Sequence, residues 1–227
     1  MNDLKRQTHL IEAGSPWKAM LPVAIFTVAY TIAAAGGALA LGNTEFLFYI
    51  VVMAVLIGIM LIVHARVHLP TSLLWAMSFW GLLHMAGGLV PLPESWPIDG
   101  EQRVLYSWWI LPHGDGEGGY LKYDQVVHAY GFGIAIWLCW EALRGAVRAH
   151  TSGGELQPTF GVLFLLVAAG CGLGAMNEIV EFTATRFAET NVGGYENTCW
   201  DLVANAVGCI IAAACIRMRV GVGRTDA

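Results

Sequence analysis

YDQVVHAYG at residues 123–131 recurs as WDLVANAVG at residues 200–208. Both copies have an aromatic residue first, Asp second, Val fourth, His or Asn sixth, Ala seventh and Gly last. Each copy opens a long apolar run, so each Asp is predicted at the start of a helix, with the His or Asn four residues later on the same helix face. These pairs are Asp124 with His128 and Asp201 with Asn205. We predict that the two helix starts contribute to one site.

The composition indicates a membrane protein. The 227 residues are 56% hydrophobic and 13% charged, and the mean hydropathy is +0.58, all far from the averages of soluble domains. The net charge of -5 and the dispersed basic residues argue against nucleic-acid binding. The five cysteines contain no metal-type Cys-x-x-Cys pair, so we expect them to be packing residues.

Apolar runs of sufficient length predict six membrane spans. A membrane helix needs about 20 apolar residues. The runs are Trp17–Leu41, Phe46–Val63, Leu73–Val90, Gln125–Leu143, Phe160–Phe182 and Trp200–Met218. We therefore predict an all-α fold, a polytopic bundle of six transmembrane helices that forms a single membrane domain over residues 1–227.

The distribution of Lys and Arg predicts the orientation of this bundle. With a cytoplasmic N-terminus, nine of the twelve basic residues lie on the inner side. This bias predicts that both termini are cytoplasmic, with residues 1–16 as an N-terminal segment, 219–227 as a tail and 91–123 as an extracytoplasmic loop. Within that loop, the aromatic segment Tyr106–Leu111 has two interpretations, an anchor at the lipid headgroups and a lid over the site.

Polar side chains from four predicted helices lie at one depth near the outer face. They are His84, Asp124, His128, Glu178, Glu181, Asp201 and Asn205. An ionised side chain at the bilayer centre costs about 2.5 to 3.5 kcal/mol on insertion scales. We therefore expect a bound metal ion, shared protons or water to compensate the four carboxylates.

The residue types of this cluster favour particular metals. Imidazole and carboxylate ligands without thiolates suit zinc, iron, manganese or magnesium better than copper(I). The candidate metal ligands are His84, Asp124, His128, Glu178 and Asp201, and the candidate catalytic residues are Glu178, Glu181 and Asn205. The structural alternative is that the His residues and Asn205 only join neighbouring helices by hydrogen bonds. No nucleophilic Ser elbow, phosphate-binding glycine loop or dinucleotide fingerprint occurs.

Four motifs together resemble those of a known family. They are His84-x-x-Gly87-Gly88, Tyr123-Asp124 with His128, Asn177-Glu178 with Glu181, and Trp200-Asp201 with Asn205 and Gly208. This set resembles the YjdF-like family of bacterial inner-membrane proteins. The Asp-x-x-x-His and Asp-x-x-x-Asn helix starts are more distantly similar to VanZ-like membrane proteins, which are linked to glycopeptide resistance at the cell envelope. The resemblance implies a bacterial inner-membrane location and a shared polar site, and it implies no particular reaction.

Three functions are consistent with these residues. The first is an intramembrane metal enzyme, a hydrolase or transferase in which a metal-bound water attacks a lipid or lipid-linked envelope precursor and Glu181 is the general base. The second is a transporter of protons, metal ions or a small solute, although the inner halves of the helices offer little polarity beyond Thr27, Thr31 and Glu141. The third is a non-enzymatic envelope partner protein. In each case we expect membrane lipids, and not nucleic acid, as partners.

Overall fold

Six α-helices make up most of the chain that the structure describes. This computed structural model describes residues 16–114, 118–151, 154–187, 190 and 193–222. The helices are α1 (Pro16–Leu41), α2 (Thr44–Val67), α3 (Thr71–Leu89), α4 (Tyr123–His150), α5 (Phe160–Ala184) and α6 (Tyr195–Val222). Each of them contains nearly all of one predicted apolar run, so the helical interpretation of the six runs is confirmed.

Five of these helices have the length and hydropathy of a membrane span. They are α1, α2, α4, α5 and α6. Helix α3 has 19 residues, and Trp75, Trp80 and His84 lower its hydropathy. Its membrane crossing therefore stays a prediction, and so does the cytoplasmic location of both termini. Residues 1–15 of the predicted N-terminal segment and 223–227 of the predicted tail lie outside the described residues.

Polar side chains near the ends of the apolar runs fix where helices start. Asn43 Oδ1 accepts a hydrogen bond of 3.0 Å from the backbone N–H of Phe46 at the start of α2. Thr159 Oγ1 accepts one of 3.4 Å from Val162 at the start of α5. Such caps satisfy backbone donors that have no partner within the helix.

Successive helices alternate in direction, which makes α4 and α6 parallel. These two helices form the most extensive helix contact of the described chain. Equivalent positions of the repeated motif meet there, because His128 Nδ1 lies 3.0 Å from Asn205 Oδ1. One turn further, Cys209 Sγ lies 3.6 Å from the carbonyl oxygen of Phe132. The two copies of the repeat therefore face each other in register.

A glycine allows α4 and α6 to approach this closely. A Cβ atom on Gly208 would lie 1.9 Å from the carbonyl oxygen of Ala129, a distance that no side chain tolerates. Small residues at helix contacts commonly permit such close packing in membranes. The last residue of the repeated motif therefore brings the two polar helix starts together.

The loop between α3 and α4 contains a small β-hairpin, so the described chain is mostly but not entirely helical. Strand β1 (Trp109–Pro112) pairs antiparallel with β2 (Gly119–Lys122), and a 3-10 turn at Leu105–Ser107 precedes them. The prolines and glycines of this loop favour irregular structure. Aromatic and aliphatic residues such as Trp109 and Tyr120 nevertheless favour strands, and the glycines between them suit a reversal of the chain.

Candidate functional site

The imidazole of His128 lies at the centre of a carboxylate cluster at the loop end of the bundle. Its Nε2 atom is 3.6 Å from Asp124 Oδ1 and 3.8 Å from Glu181 Oε1. Its Nδ1 atom is 3.7 Å from Glu178 Oε1. None of these side chains is more than 15% exposed. The start of α4 and the end of α5 therefore supply the first part of the cluster.

Helix α6 adds a further carboxylate, and two overlapping groups of potential metal ligands result. The first group is Asp124, His128 and Asp201, and the second is His128, Glu178 and Glu181. Within each group the ligand atoms lie within 4.8 Å of one another. Two ligands that are each about 2.1 Å from one zinc ion lie at most about 4.2 Å apart, so small side-chain movements would suffice to close either group around an ion.

Asn205 orients the central imidazole. Because an amide carbonyl oxygen can only accept, His128 Nδ1 donates the hydrogen bond to Asn205 Oδ1. In the neutral imidazole the lone pair is then on Nε2, which faces carboxylate oxygens of Asp124 and Glu181. Electron pairs that face one another in this way repel, and a proton, a cation or a water molecule between them would relieve that repulsion.

Three buried polar atoms of the described cluster have no hydrogen-bond partner. They are Glu178 Oε1, Asp201 Oδ1 and Asn205 Nδ2. The side chains of Asp201 and Asn205 are completely buried. An unsatisfied buried polar group costs about 1 to 3 kcal/mol, and more if it is charged. These atoms are therefore suitable contacts for a ligand within the cluster.

Amide side chains hold two of the carboxylates in position. Asn177 Nδ2 donates a hydrogen bond of 2.7 Å to Glu181 Oε1. Asn197 Nδ2 donates one of 2.5 Å to Asp201 Oδ2, and Asn197 Oδ1 accepts one from Lys122 Nζ. The ammonium group of the buried Lys122 thus acts on Asp201 through an amide.

His84 lies in an aromatic layer beside the cluster and outside both ligand groups. Its Nδ1 atom is hydrogen-bonded to the hydroxyl of Tyr106. A Cβ atom on Gly87 would lie 2.5 Å from the Tyr106 ring, and one on Gly88 would lie 1.9 Å from the Phe46 ring. The two glycines of the His84 motif therefore make room for the rings that surround the imidazole.

Tyr106 connects the loop between α3 and α4 to this layer. Burial raises the pKa of Tyr106 well above its usual range, so the hydroxyl stays protonated at physiological pH. The segment predicted as an anchor or a lid therefore places one of its aromatic side chains inside the bundle.

Sequence reasoning did not assign Tyr106 or Asn197 to the site. Asn197 had a detectable signal, because it precedes Asp201 by four residues and so shares its helix face. The glycines at 87 and 88 indicate that a bulky group packs beside His84. They do not indicate which residue of the loop supplies that group.

The match to a protein family covers nearly the whole of the helical region. A family model described as predicted membrane protein (DUF2238) matches residues 19–221. The chain belongs to this family of predicted membrane proteins. DUF2238 is the YjdF-like family that the four motifs resemble, so that prediction is confirmed. No curated protein and no solved structure matches the chain.

Proposed function

We propose that this DUF2238 protein is an intramembrane metal-dependent hydrolase or transferase. Its substrate is a lipid or lipid-linked envelope precursor, reached from the extracytoplasmic side of the bacterial inner membrane. The observation that supports this proposal is the buried imidazole of His128, which is enclosed by four carboxylates from α4, α5 and α6. The more distant VanZ-like similarity, which stays a prediction, agrees with an envelope role.

Charge balance is the argument for a cation. Two unit charges 4 Å apart interact by about 4 kcal/mol at an effective dielectric constant of 20. Asp124, Glu178, Glu181 and Asp201 surround one imidazole. Lys122 reaches this cluster through Asn197, and its ammonium group also pairs with Asp99. Protonation of His128 alone would leave most of the repulsion among the four carboxylates in place. A divalent cation would offset it, and the unpartnered oxygens of Glu178 and Asp201 suit such a ligand.

The donor set restricts the identity of this cation. Carboxylate oxygens and one imidazole nitrogen fit zinc, iron, manganese or magnesium. Asp124, His128, Glu178 and Asp201 would hold the ion, and His84 would complete the site only after moving from Tyr106. A bound cation supplies Lewis-acid polarisation of an ester or phosphate oxygen of the substrate.

Glu181 is the proposed general base. Asn177 donates to its Oε1 atom, which fixes the carboxylate beside the imidazole. Like Asp201, Glu181 has an amide partner on its own helix, so it can accept a proton without leaving its position. Asn205 positions His128 through the hydrogen bond to Nδ1.

The polar groups in the inner halves of the predicted membrane helices argue against transport. The hydroxyls of Thr27 and Thr31 donate to carbonyl oxygens of their own helix at 2.8 and 2.7 Å. Glu141 accepts hydrogen bonds from Arg144 and Trp137. These groups are therefore occupied locally, and the hydrogen bonds named here do not join them to the cluster.

The test is lipid turnover by purified protein. The protein is incorporated into vesicles of bacterial lipid extract with Zn²⁺ or Mn²⁺, and lipid products are identified by mass spectrometry. Glu181→Gln should lower product formation by about 10²- to 10⁴-fold, the usual contribution of a general base. Glu141→Gln is the matched control and should retain activity. Products that form equally with Glu181→Gln, or no product from any lipid, would refute the proposal.

A further inference from the structure

An elongated apolar slot runs between α1, α2 and α3 and reaches the polar layer. Its volume is about 460 Å³, within the range of small-molecule sites. At one end it is lined by Met20, Met60 and Leu74, and at the other by His84 and Asn177. From Leu74 to His84 the helical rise gives a length of roughly 15 Å. The slot therefore has the form of a narrow channel with one polar end.

The slot opens towards the lipid-facing surface. Val28, Ile32 and Leu56 line it and are 56%, 67% and 48% exposed. Because α1 and α2 have the length and hydropathy of membrane spans, their exposed apolar faces would meet lipid chains. An apolar chain would enter from this side without crossing a polar surface.

The walls suit a flexible apolar chain. Four methionines line the slot, Met20, Met53, Met60 and Met77. Methionine side chains are unbranched and adapt to irregular apolar partners. The hydroxyls of Thr27 and Ser78 lie 2.6 Å apart and are hydrogen-bonded to each other, so they do not require a polar ligand.

The polar end of the slot leads to the catalytic residues of the proposed function. Asn177 lines the slot and also donates to Glu181 Oε1. His84 lines it beside Tyr106. A lipid whose chain fills the slot would therefore present its headgroup linkage near Glu181.

We propose that the slot between α1, α2 and α3 binds one acyl chain of the lipid substrate. That the bound lipid is the substrate rests on the proposed function. The acyl-chain site itself rests on the slot alone. The substrate class is accordingly a lipid with at least one linear chain, and its reacting bond lies close to the chain's polar end.

The test uses a phospholipid that carries a photoreactive diazirine on one acyl chain, diluted in vesicles of ordinary phospholipid. After irradiation, labelled residues are identified by peptide mass spectrometry. We expect saturable labelling of Met53 and Met77 inside the slot. Ala24→Phe fills the slot from α1 and should lower that labelling by about tenfold or more, as expected for misfit in an apolar pocket. Ala33→Phe, on the exposed side of α1, should not change it.

A second pair of variants keeps the test decisive if Ala24→Phe does not fold. Ile57→Trp narrows the slot from α2, and Ile59→Trp adds the same volume on the exposed face of that helix. Loss of slot labelling with Ile57→Trp alone supports the inference. Labelling confined to exposed positions such as Phe164, or unchanged by every slot variant, overturns it.

Metal content and lipid turnover are measured on the same samples. Slot labelling with no Glu181-dependent turnover would support the acyl-chain site and refute the proposed enzyme. Turnover that needs Glu181 but continues unchanged when the slot is filled would refute the acyl-chain site and leave the enzyme standing.

Discussion

His128 is the residue on which the cluster depends, because carboxylates from two helices lie within 3.8 Å of its ring and Asn205 on a third orients it. The four-residue spacing from Asp124 predicted that His128 lies about one helical turn further into the bundle, on the same helix face. It could not predict which ring nitrogen faces which carboxylate. That choice depends on the register between α4 and α6, which Gly208 sets by close packing.

At the scale of one residue, Asp201→Asn separates charge repulsion from metal binding. Without metal, the substitution should raise stability by roughly 1 to 4 kcal/mol, since it removes one of several crowded negative charges. The amide can still accept the hydrogen bond from Asn197. With Zn²⁺ or Mn²⁺ added, the wild-type protein should gain thermal stability and the variant should gain much less.

Thermal unfolding in detergent, with chelator or with metal, measures both effects. Glu94→Gln is the control, because Glu94 is an exposed loop carboxylate paired with Arg103. Destabilisation of the variant in chelator would show that the negative charge of Asp201 is itself required for folding, contrary to this account.

At the scale of the helices, the pairing of α4 with α6 builds the site. The repeated motif predicted that the two helix starts cooperate, and the described contacts agree with that expectation. The repeat carries no information on α5, which brings Glu178 and Glu181 towards His128. Their depth followed from the predicted order of the membrane spans, and a three-residue spacing is typical of side chains on one helix face.

Gly208→Ala tests this pairing. The added Cβ atom would meet the carbonyl oxygen of Ala129 at 1.9 Å, so α6 must move away from α4. Overpacking of this kind costs about 1 to 3 kcal/mol. We expect a lower unfolding temperature and weaker metal binding, since Asp201 and Asn205 move with α6.

The matched control is Gly172→Ala on α5, where an added Cβ atom has nothing within 4 Å. Both proteins are compared by thermal unfolding and by metal titration. Equal behaviour of the two variants would contradict the close contact between α4 and α6.

The β-hairpin is the element that the sequence did not predict. The prolines and glycines between residues 91 and 123 favour irregular structure. The pairing of Trp109 with Lys122 depends on contacts between distant parts of the loop, which local pattern does not reveal. For the same reason Tyr106 was interpreted as part of a surface segment, although its hydroxyl bonds to His84 inside the bundle.

At the scale of the whole molecule, alternating helices place the cluster, the β-hairpin and both helix starts at one end of the bundle. The distribution of Lys and Arg predicts that this end is extracytoplasmic. A reporter enzyme active only in the cytoplasm should therefore work when fused after Ala227. The same reporter inserted after Gly100, in the loop, should be inactive.

A reporter active only outside the cytoplasm provides the reciprocal control at both positions. Activity of the cytoplasmic reporter at Gly100 would invert the orientation. The cluster would then face the cytoplasm, and the proposed envelope substrate would be wrong.

The central claim is that carboxylates and an imidazole from separate helices together hold a divalent cation, and elemental analysis of the purified protein tests it most directly. The account predicts about one zinc, iron, manganese or magnesium ion per chain, held by Asp124, His128, Glu178 and Asp201. It also predicts loss of that metal in the double variant Asp124→Ala and Asp201→Ala, with Glu141→Gln as the control that retains it. Wild-type protein that holds no stoichiometric metal after incubation with each ion, or a double variant that binds as much as the wild type, would contradict the account.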